Sequence, residues 1–121
     1  MKIGSRVVEI ESRSFDKCVS LKSVTIPDSV KTIGSSAFSD CSVLTNVTMG
    51  KGLELIASGA FANCSGLTCV AIPKSVKYIW EGAFKNCRKL RSVTGGSSEV
   101  DVSHYAFAGC DQLANKDGFR G

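Results

Sequence analysis

A chain of 121 residues, 43% hydrophobic and 21% charged, has the composition of one globular domain and not of a disordered segment. It contains neither a run of eighteen apolar residues nor a signal-like apolar stretch at its start, so we predict no membrane insertion and identify no export signal. The net charge of +4 is concentrated between Lys74 and Arg91, a stretch with six basic residues and one acidic residue. Such a local basic patch is weak evidence for nucleic acid, and we predict no nucleic-acid partner.

The sequence repeats with a period of twenty-three residues. Phenylalanine, cysteine and leucine each recur five times at this spacing, at Phe15, Phe38, Phe61, Phe84 and Phe107, at Cys18, Cys41, Cys64, Cys87 and Cys110, and at Leu21, Leu44, Leu67, Leu90 and Leu113. A fixed period in this range is typical of a solenoid, in which each repeat buries its apolar face by stacking on its neighbours. We predict a single solenoid domain over residues 1–121, with about five repeats. Because Met1 falls inside a repeat, we expect a fragment of a longer array.

The repeat over residues 21–44 begins with two extended segments. Val24 and Ile26 alternate with polar neighbours, the pattern of a half-buried strand. Pro27 follows them, and proline ends a strand because it cannot donate to the hydrogen-bond ladder. Val30 and Ile33 then indicate a second, shorter extended segment.

The last part of each repeat predicts a short helix. Four apolar residues fall at positions i, i+1, i+4 and i+7 of this part: Ala37, Phe38, Cys41 and Leu44. This spacing places them on one face of one or two helical turns. Each coil would therefore carry a strand of a parallel sheet on one side and a short helix on the other, with the phenylalanines as the centre of the core.

Cysteine spacing favours buried thiols over disulfides. Six cysteines in a small chain can indicate three disulfides, but five of them hold the same place in successive repeats and would point inward, where free cysteine packs as a small hydrophobe. A disulfide between neighbouring repeats and a zinc site are the alternatives, although no CxxC pair is present. Cys69 stands outside this series, which predicts an exposed thiol, either reactive or incidental.

The repeat resembles the BspA-like class of leucine-rich repeat. The matching positions are Leu21, Val24, Ile26, Pro27, Ser29, Val30, Ile33, Gly34, Ala37, Phe38 and Cys41, and they recur from Leu67 to Cys87. The resemblance implies an α/β repeat solenoid, a right-handed coil with a parallel β-sheet on the concave face and short helices on the convex side. It also implies a cell-surface or secreted repeat protein that binds host matrix proteins, plasma proteins or other cells. The chain departs from the pattern at three positions and in its last repeat. Gly50 and Gly96 stand at the Pro27 position, Trp80 stands at the Gly34 position, and the last repeat matches the pattern only in part.

Two surfaces are candidates for a ligand. On the predicted strands, the outward positions carry small hydroxyl groups and one arginine, at Thr25, Thr48, Thr68 and Arg91. Repeat proteins often bind through such a surface, but threonine is also simply favourable on a sheet.

The second candidate lies in the fourth repeat. Tyr78 and Trp80 flank the inward Ile79 and by strand alternation point outward, next to Lys74 and Lys77. Exposed aromatic residues with a cationic rim are typical of a protein-binding site. The alternative is that Trp80 folds down over an adjacent ridge.

Enzyme chemistry is poorly supported by the sequence. His104 is the single histidine, and no acid, nucleophile or second histidine stands at a recognisable spacing from it. We predict no catalytic residue, no metal and no cofactor. The prediction is a non-catalytic protein-binding or adhesion module with a protein or glycan ligand, and the alternative is a structural spacer. Asn46 and Asn63 match the glycosylation acceptor pattern, which chance matching explains best.

Overall fold

The computed structural model describes residues 1–113, so residues 114–121 of the predicted domain lie outside the described part. Nine short β-strands follow one another along this part of the chain. They are β1 (Glu9–Ile10), β2 (Ser23–Ile26), β3 (Thr32–Ile33), β4 (Asn46–Met49), β5 (Leu55–Ile56), β6 (Cys69–Ile72), β7 (Tyr78–Ile79), β8 (Ser92–Gly95) and β9 (Asp101–Val102). We number the coils 1 to 5 by the phenylalanine that each contains, from Phe15 to Phe107.

Both extended segments of each repeat pair with the equivalent segment of the next coil. The two-residue strands form a five-stranded parallel sheet in the order β1-β3-β5-β7-β9, which we call the short-strand sheet. The four-residue strands form two parallel pairs, β2-β4 and β6-β8, which we call the long-strand face. Paired residues are separated by one repeat period throughout, as in Thr25 with Thr48 and Ile56 with Ile79. The stacked parallel solenoid is therefore confirmed, with a second sheet that the sequence prediction lacked.

The predicted short helices are absent from residues 1–113, and that part of the predicted fold class is wrong. Asp40 sits inside the predicted helix with a φ of 60°, and Ser36 just before it has a φ of 57°. A left-handed residue cannot continue a right-handed helix. The backbone N–H groups of this segment instead donate to the next coil, Phe38 N to Ala60 O at 2.7 Å and Asp40 N to Ala62 O at 2.8 Å. Each coil closes through tight turns.

These turns repeat because the left-handed residues form two series along the solenoid. The first series is Arg13, Ser36, Gly59 and Gly82, and the second is Lys17, Asp40, Asn63, Asn86 and Gly109. Glycine, asparagine and aspartate dominate the two series, and these residues adopt positive φ at the lowest cost.

The core is a continuous stack of phenylalanine rings. Neighbouring ring centroids lie 5.2–5.3 Å apart and the ring planes agree within 9°, from Phe15 through to Phe107. This spacing is close to the distance of about 4.7–4.9 Å between paired strands, so the rings follow the rise of the coils. Phe38, Phe61 and Phe84 are fully buried, whereas Phe15 in coil 1 is half-buried. The predicted phenylalanine core is confirmed.

The cysteine series lies beside the phenylalanine stack as free thiols. Cys41, Cys64, Cys87 and Cys110 are buried, and Cys18 is half-buried. Each buried thiol donates to the carbonyl of the phenylalanine in the preceding coil, with S···O distances of 3.0–3.2 Å. The prediction of interior thiols is confirmed, and the inter-coil disulfide is wrong. These hydrogen bonds add to the backbone hydrogen bonds that connect successive coils in the same segment.

Coil 5 fills its core with a different residue from the one that the period predicts. Glu99 stands one period after Val76 but is exposed, and Val100 is buried in its place. Gly95 and Gly96 precede this segment with φ values of 80° and 76°, which lets the backbone take a different path before it rejoins the short-strand sheet. The local change keeps the core apolar and presents the Glu99 carboxylate to solvent.

Candidate partner-binding surface

Tyr78 and Trp80 are exposed on the short-strand sheet. The exposed fractions are 48% for Tyr78 and 43% for Trp80, whereas Ile79 between them is fully buried. The backbone is fixed on both sides, because Trp80 N donates to Ile56 O at 3.0 Å and Tyr78 pairs with Asp101 in the register of the sheet. The outward direction predicted for both aromatic residues agrees with these exposures.

Coil 4 carries Trp80 where the two preceding coils carry small residues. Gly34 and Ala57 occupy the Trp80 position in coils 2 and 3, and both are buried. A Cβ atom at Gly34 would lie 2.7 Å from the backbone N of Ser12 and 2.8 Å from Ile10 O, so that coil has no room for any side chain. The bulky residue is therefore a local property of coil 4 and not of the fold.

The short strand of coil 4 borders a groove whose two sides have opposite charge. The groove holds about 590 Å³ between Lys74, Lys77 and Tyr78 on one side and Glu99 and Asp101 on the other. The two lysines were predicted from the sequence as part of a binding site, whereas the two carboxylates on the other side of the groove were not. Asp101 could have been found because it stands one repeat period after Tyr78, its partner in the register of the sheet.

These four charged side chains are available to a ligand. Residues 1–113 contain one ion pair, between Arg88 Nη1 and Asp111 Oδ2 at 3.4 Å. Both of these side chains are mostly exposed. None of the four side chains forms an ion pair with another in the described part of the chain, although Asp101 N donates to Lys77 O at 2.9 Å. Each charge is solvated and can meet an opposite charge on a partner.

A buried hydroxyl lies at this groove without a hydrogen-bond partner. Ser75 Oγ is inaccessible to solvent and has no acceptor or donor within hydrogen-bond distance among the residues described. The equivalent Ser29 Oγ donates to Val7 O at 2.7 Å. A buried unpartnered hydroxyl costs about 1–3 kcal/mol, so this edge of coil 4 is less well satisfied than the same edge of coil 2.

The structure separates the two sets of predicted binding residues. Thr25, Thr48 and Arg91 are exposed and Thr68 is half-buried, all on or next to the long-strand face. Tyr78 lies in β7 of the short-strand sheet, and Trp80 directly follows that strand. Lys74 follows the end of β6, in the turn that leads from one ladder to the other. The predicted residues therefore form two surfaces.

Cys69 is exposed on the long-strand face, where it pairs in register with Ser92. We expect Cys69 to react with an aromatic disulfide reagent as fast as an unfolded thiol, and the four buried thiols to react only when the solenoid opens. Stopped-flow labelling with and without urea measures both phases. In a Cys18→Ser background, which removes the half-buried thiol of coil 1, Cys69→Ser should lose the fast phase alone, and a fast phase that survives in this double variant would contradict the assignment.

The structure places His104 at the surface and Cys110 in the core. His104 is exposed and its ring lies 6.4 Å from that of Tyr105. Cys110 is fully buried, and its thiol donates to Phe84 O at 3.0 Å. Within residues 1–113, no three His, Cys, Asp or Glu side chains converge in a way that could hold a metal ion. The same residues contain no helix that could cross a bilayer.

A family model for the BspA type leucine rich repeat region matches residues 1–114, with six copies of the repeat. The chain belongs to the BspA type leucine rich repeat family. The resemblance of the Leu21–Cys41 pattern to BspA-like repeats is thereby confirmed. No curated protein matches the chain in sequence.

Solved leucine-rich repeat proteins share the fold. A leucine rich cell surface protein from Faecalibacterium prausnitzii is 33% identical over 93% of this chain, with a TM-score of 0.88. A leucine-rich repeat protein from Bacteroides capillosus is 30% identical over 78% of the chain and 74% of its own, with a TM-score of 0.70. The pneumococcal vaccine antigen PcpA is 34% identical over 88% of the chain, with a TM-score of 0.62. The chain spans 30% of the length of the Faecalibacterium protein and 24% of PcpA.

Proposed function

We propose that this chain is a non-catalytic protein-binding or adhesion module of a cell-surface or secreted repeat protein. The observation that carries the proposal is the adjacent exposure of Tyr78 and Trp80 in one coil of a solenoid whose other large apolar side chains are mostly buried. The similar Faecalibacterium protein is described as a cell surface protein, which supports a surface location for this chain.

The aromatic pair has the properties of a binding hot spot. Tryptophan and tyrosine contribute large contact areas and are enriched among residues whose truncation costs about 2 kcal/mol or more. The hydrogen-bonded strands below them fix the backbone of both residues, so little backbone entropy is lost on binding. The oppositely charged groove beside Tyr78 would orient a partner and make its association rate dependent on salt.

An array of purified matrix and plasma proteins tests this proposal. For any protein that binds the wild-type chain, we expect Trp80→Ala to weaken the affinity about 30-fold or more, since a hot-spot truncation costs about 2 kcal/mol. Tyr78→Ala should have a similar but smaller effect. Thr48→Ala, on the other ladder, is the matched control and should leave the affinity unchanged.

Two results would contradict the proposal in different ways. Binding that is lost in Thr48→Ala and kept in Trp80→Ala would move the site to the long-strand face. The absence of binding to every protein on the array would favour a structural spacer, a second candidate that the continuous phenylalanine stack through five coils supports.

A further inference from the structure

A second groove, of about 530 Å³, lies on the turn side of coils 3 to 5. Its residues include Gly59, Gly82, Asn63, Glu81, Lys85 and Tyr105, and we call it the Tyr105 groove. It shares no residue with the groove beside Tyr78. Its volume falls in the range of about 300–1,000 Å³ that small-molecule sites occupy.

The Tyr105 groove exists because two consecutive coils lack a side chain at one position. Gly59 and Gly82 hold the first left-handed series with φ values of 66° and 67°, whereas coils 1 and 2 carry Arg13 and Ser36 there. The backbone at this point is already hydrogen bonded, Gly59 N to Glu81 O at 3.2 Å and Gly82 N to Tyr105 O at 3.1 Å. The floor of the groove is therefore a fixed surface with few unsatisfied polar groups.

Tyr105 borders this floor with an open aromatic ring. Its side chain is 66% exposed, the largest exposed fraction among the large hydrophobic residues of the described chain. Gly82 holds the equivalent position in the preceding coil, so no side chain at that position covers the ring. Among residues 1–113, the Tyr105 ring lies near the His104 ring, with a distance of 6.4 Å between the ring centroids and an angle of 54° between the ring planes. One face of the ring is left for a ligand.

Hydrogen-bond donors and acceptors line the groove together with Tyr105. The Glu81 carboxylate accepts hydrogen bonds and the Lys85 ammonium donates them, and neither takes part in an ion pair within residues 1–113. Asn63 Oδ1 accepts from Asn86 Nδ2 at 3.1 Å, which orients the Asn63 amide and leaves its NH₂ group able to donate. The opposite charges of Glu81 and Lys85 cancel, so the groove does not select a net charge.

We propose that the Tyr105 groove binds one residue of a neutral saccharide. A pyranose ring has an apolar C–H face that packs on an aromatic ring, and hydroxyl groups that both donate and accept. The groove offers this combination: the Tyr105 face, the acceptor Glu81, and the donors Lys85 and Asn63. The site is separate from the Tyr78 and Trp80 surface and does not depend on the function proposed for it.

Protein-observed NMR with defined sugars tests the proposal. We expect galactose, mannose, N-acetylglucosamine or fucose to shift the backbone amide signals of Gly59 and Gly82 in a saturable way, with a dissociation constant in the millimolar range. Tyr105→Ala should weaken this binding about tenfold or more, which corresponds to about 1.4 kcal/mol. Trp80→Ala is the control from the other surface and should leave the sugar titration unchanged.

A second variant fills the groove without removing the aromatic ring. Gly82→Asn adds a side chain at a position where asparagine tolerates the left-handed backbone and where coil 2 carries Ser36. A Cβ atom at Gly82 would lie 3.7 Å from Lys85 Cβ, an ordinary contact, so the variant should fold. We expect a wild-type-like spectrum and loss of the sugar-induced shifts. Sugar binding that persists in both variants, an absence of saturable shifts with all four sugars, or shifts obtained only with a zwitterionic dipeptide would each overturn the saccharide assignment.

Discussion

Replacing Phe61 by alanine is expected to destabilise the folded chain by about 3–5 kcal/mol, the usual cost of removing a fully buried phenylalanine. The Phe61 ring stacks on Phe38 at 5.2 Å and on Phe84 at 5.3 Å, so the substitution removes two ring contacts and leaves a cavity in the middle of the stack. The flanking coils cannot close this cavity easily, because backbone hydrogen bonds such as Phe61 N to Ala83 O at 2.6 Å fix the distance between them.

Phe15→Ala is the matched control for this prediction. Phe15 is half-buried and stacks on one ring, Phe38, among the described residues. We expect a clearly smaller loss of stability from this variant than from Phe61→Ala. Urea unfolding followed by circular dichroism and by the fluorescence of Trp80, the single tryptophan, measures both. Equal losses from the two substitutions would show that the stack contributes no more at its centre than at its end.

The stacked architecture could be predicted because each repeat buries the same positions. Phe61 and Cys64 point into the core, and their residue types recur once in every repeat, so the period alone identifies the interior and the register. The same logic predicted outward side chains for Tyr78 and Trp80, which flank the buried Ile79. In a repetitive structure, residues that are one period apart in the sequence lie next to each other in adjacent coils.

The helix prediction failed because it rested on apolar spacing and neglected backbone conformation. The stripe from Ala37 to Leu44 fits a helix, but Asp40 within it adopts positive φ. A signal was present: the positions equivalent to Asp40 hold Asn63, Asn86 and Gly109, the residue types that tolerate this conformation best. A recurring Asp, Asn or Gly inside an apolar stripe predicts a turn and not a helix.

The candidate sites were less predictable than the fold. The Tyr105 groove depends on the absence of side chains at Gly59 and Gly82. The charged groove depends on the altered path of coil 5, which turns Glu99 outward. Both grooves form where the residues of one or two coils differ from those at the equivalent positions of their neighbours. A residue that breaks the repeat pattern does not by itself show which part of the surface changes.

Alkaline solution is expected to unfold the chain because the buried thiols resist ionisation. Burial and the neighbouring Cys41 thiol raise the pKa of Cys64 to about 12, and burial likewise raises the pKa of Cys41. The pKa of Cys87 is raised by its side-chain hydrogen bond with Cys110 and by burial. In the unfolded chain these thiols ionise above about pH 8.5.

The sign of the pH dependence follows from these pKa values. Above about pH 8.5 the unfolded chain releases protons that the folded chain retains, so the free energy of unfolding falls by about 1.4 kcal/mol per pH unit for each buried thiol. For Cys64 the loss extends from its ordinary pKa of 9.0 up to its folded pKa of about 12, which corresponds to a total of about 4 kcal/mol. Cys41 and Cys87 add to the slope over the range above their unfolded pKa.

Urea unfolding at several pH values between neutral and strongly alkaline, under reducing conditions, measures this slope. Cys64→Ala should lower stability at neutral pH, because it removes buried atoms, and should also reduce the alkaline slope by about 1.4 kcal/mol per pH unit, since one buried thiol is gone. Cys69→Ser removes an exposed thiol and should change neither quantity. A slope that stays the same in Cys64→Ala would mean that other groups cause the alkaline loss, and that water reaches the thiols between the coils.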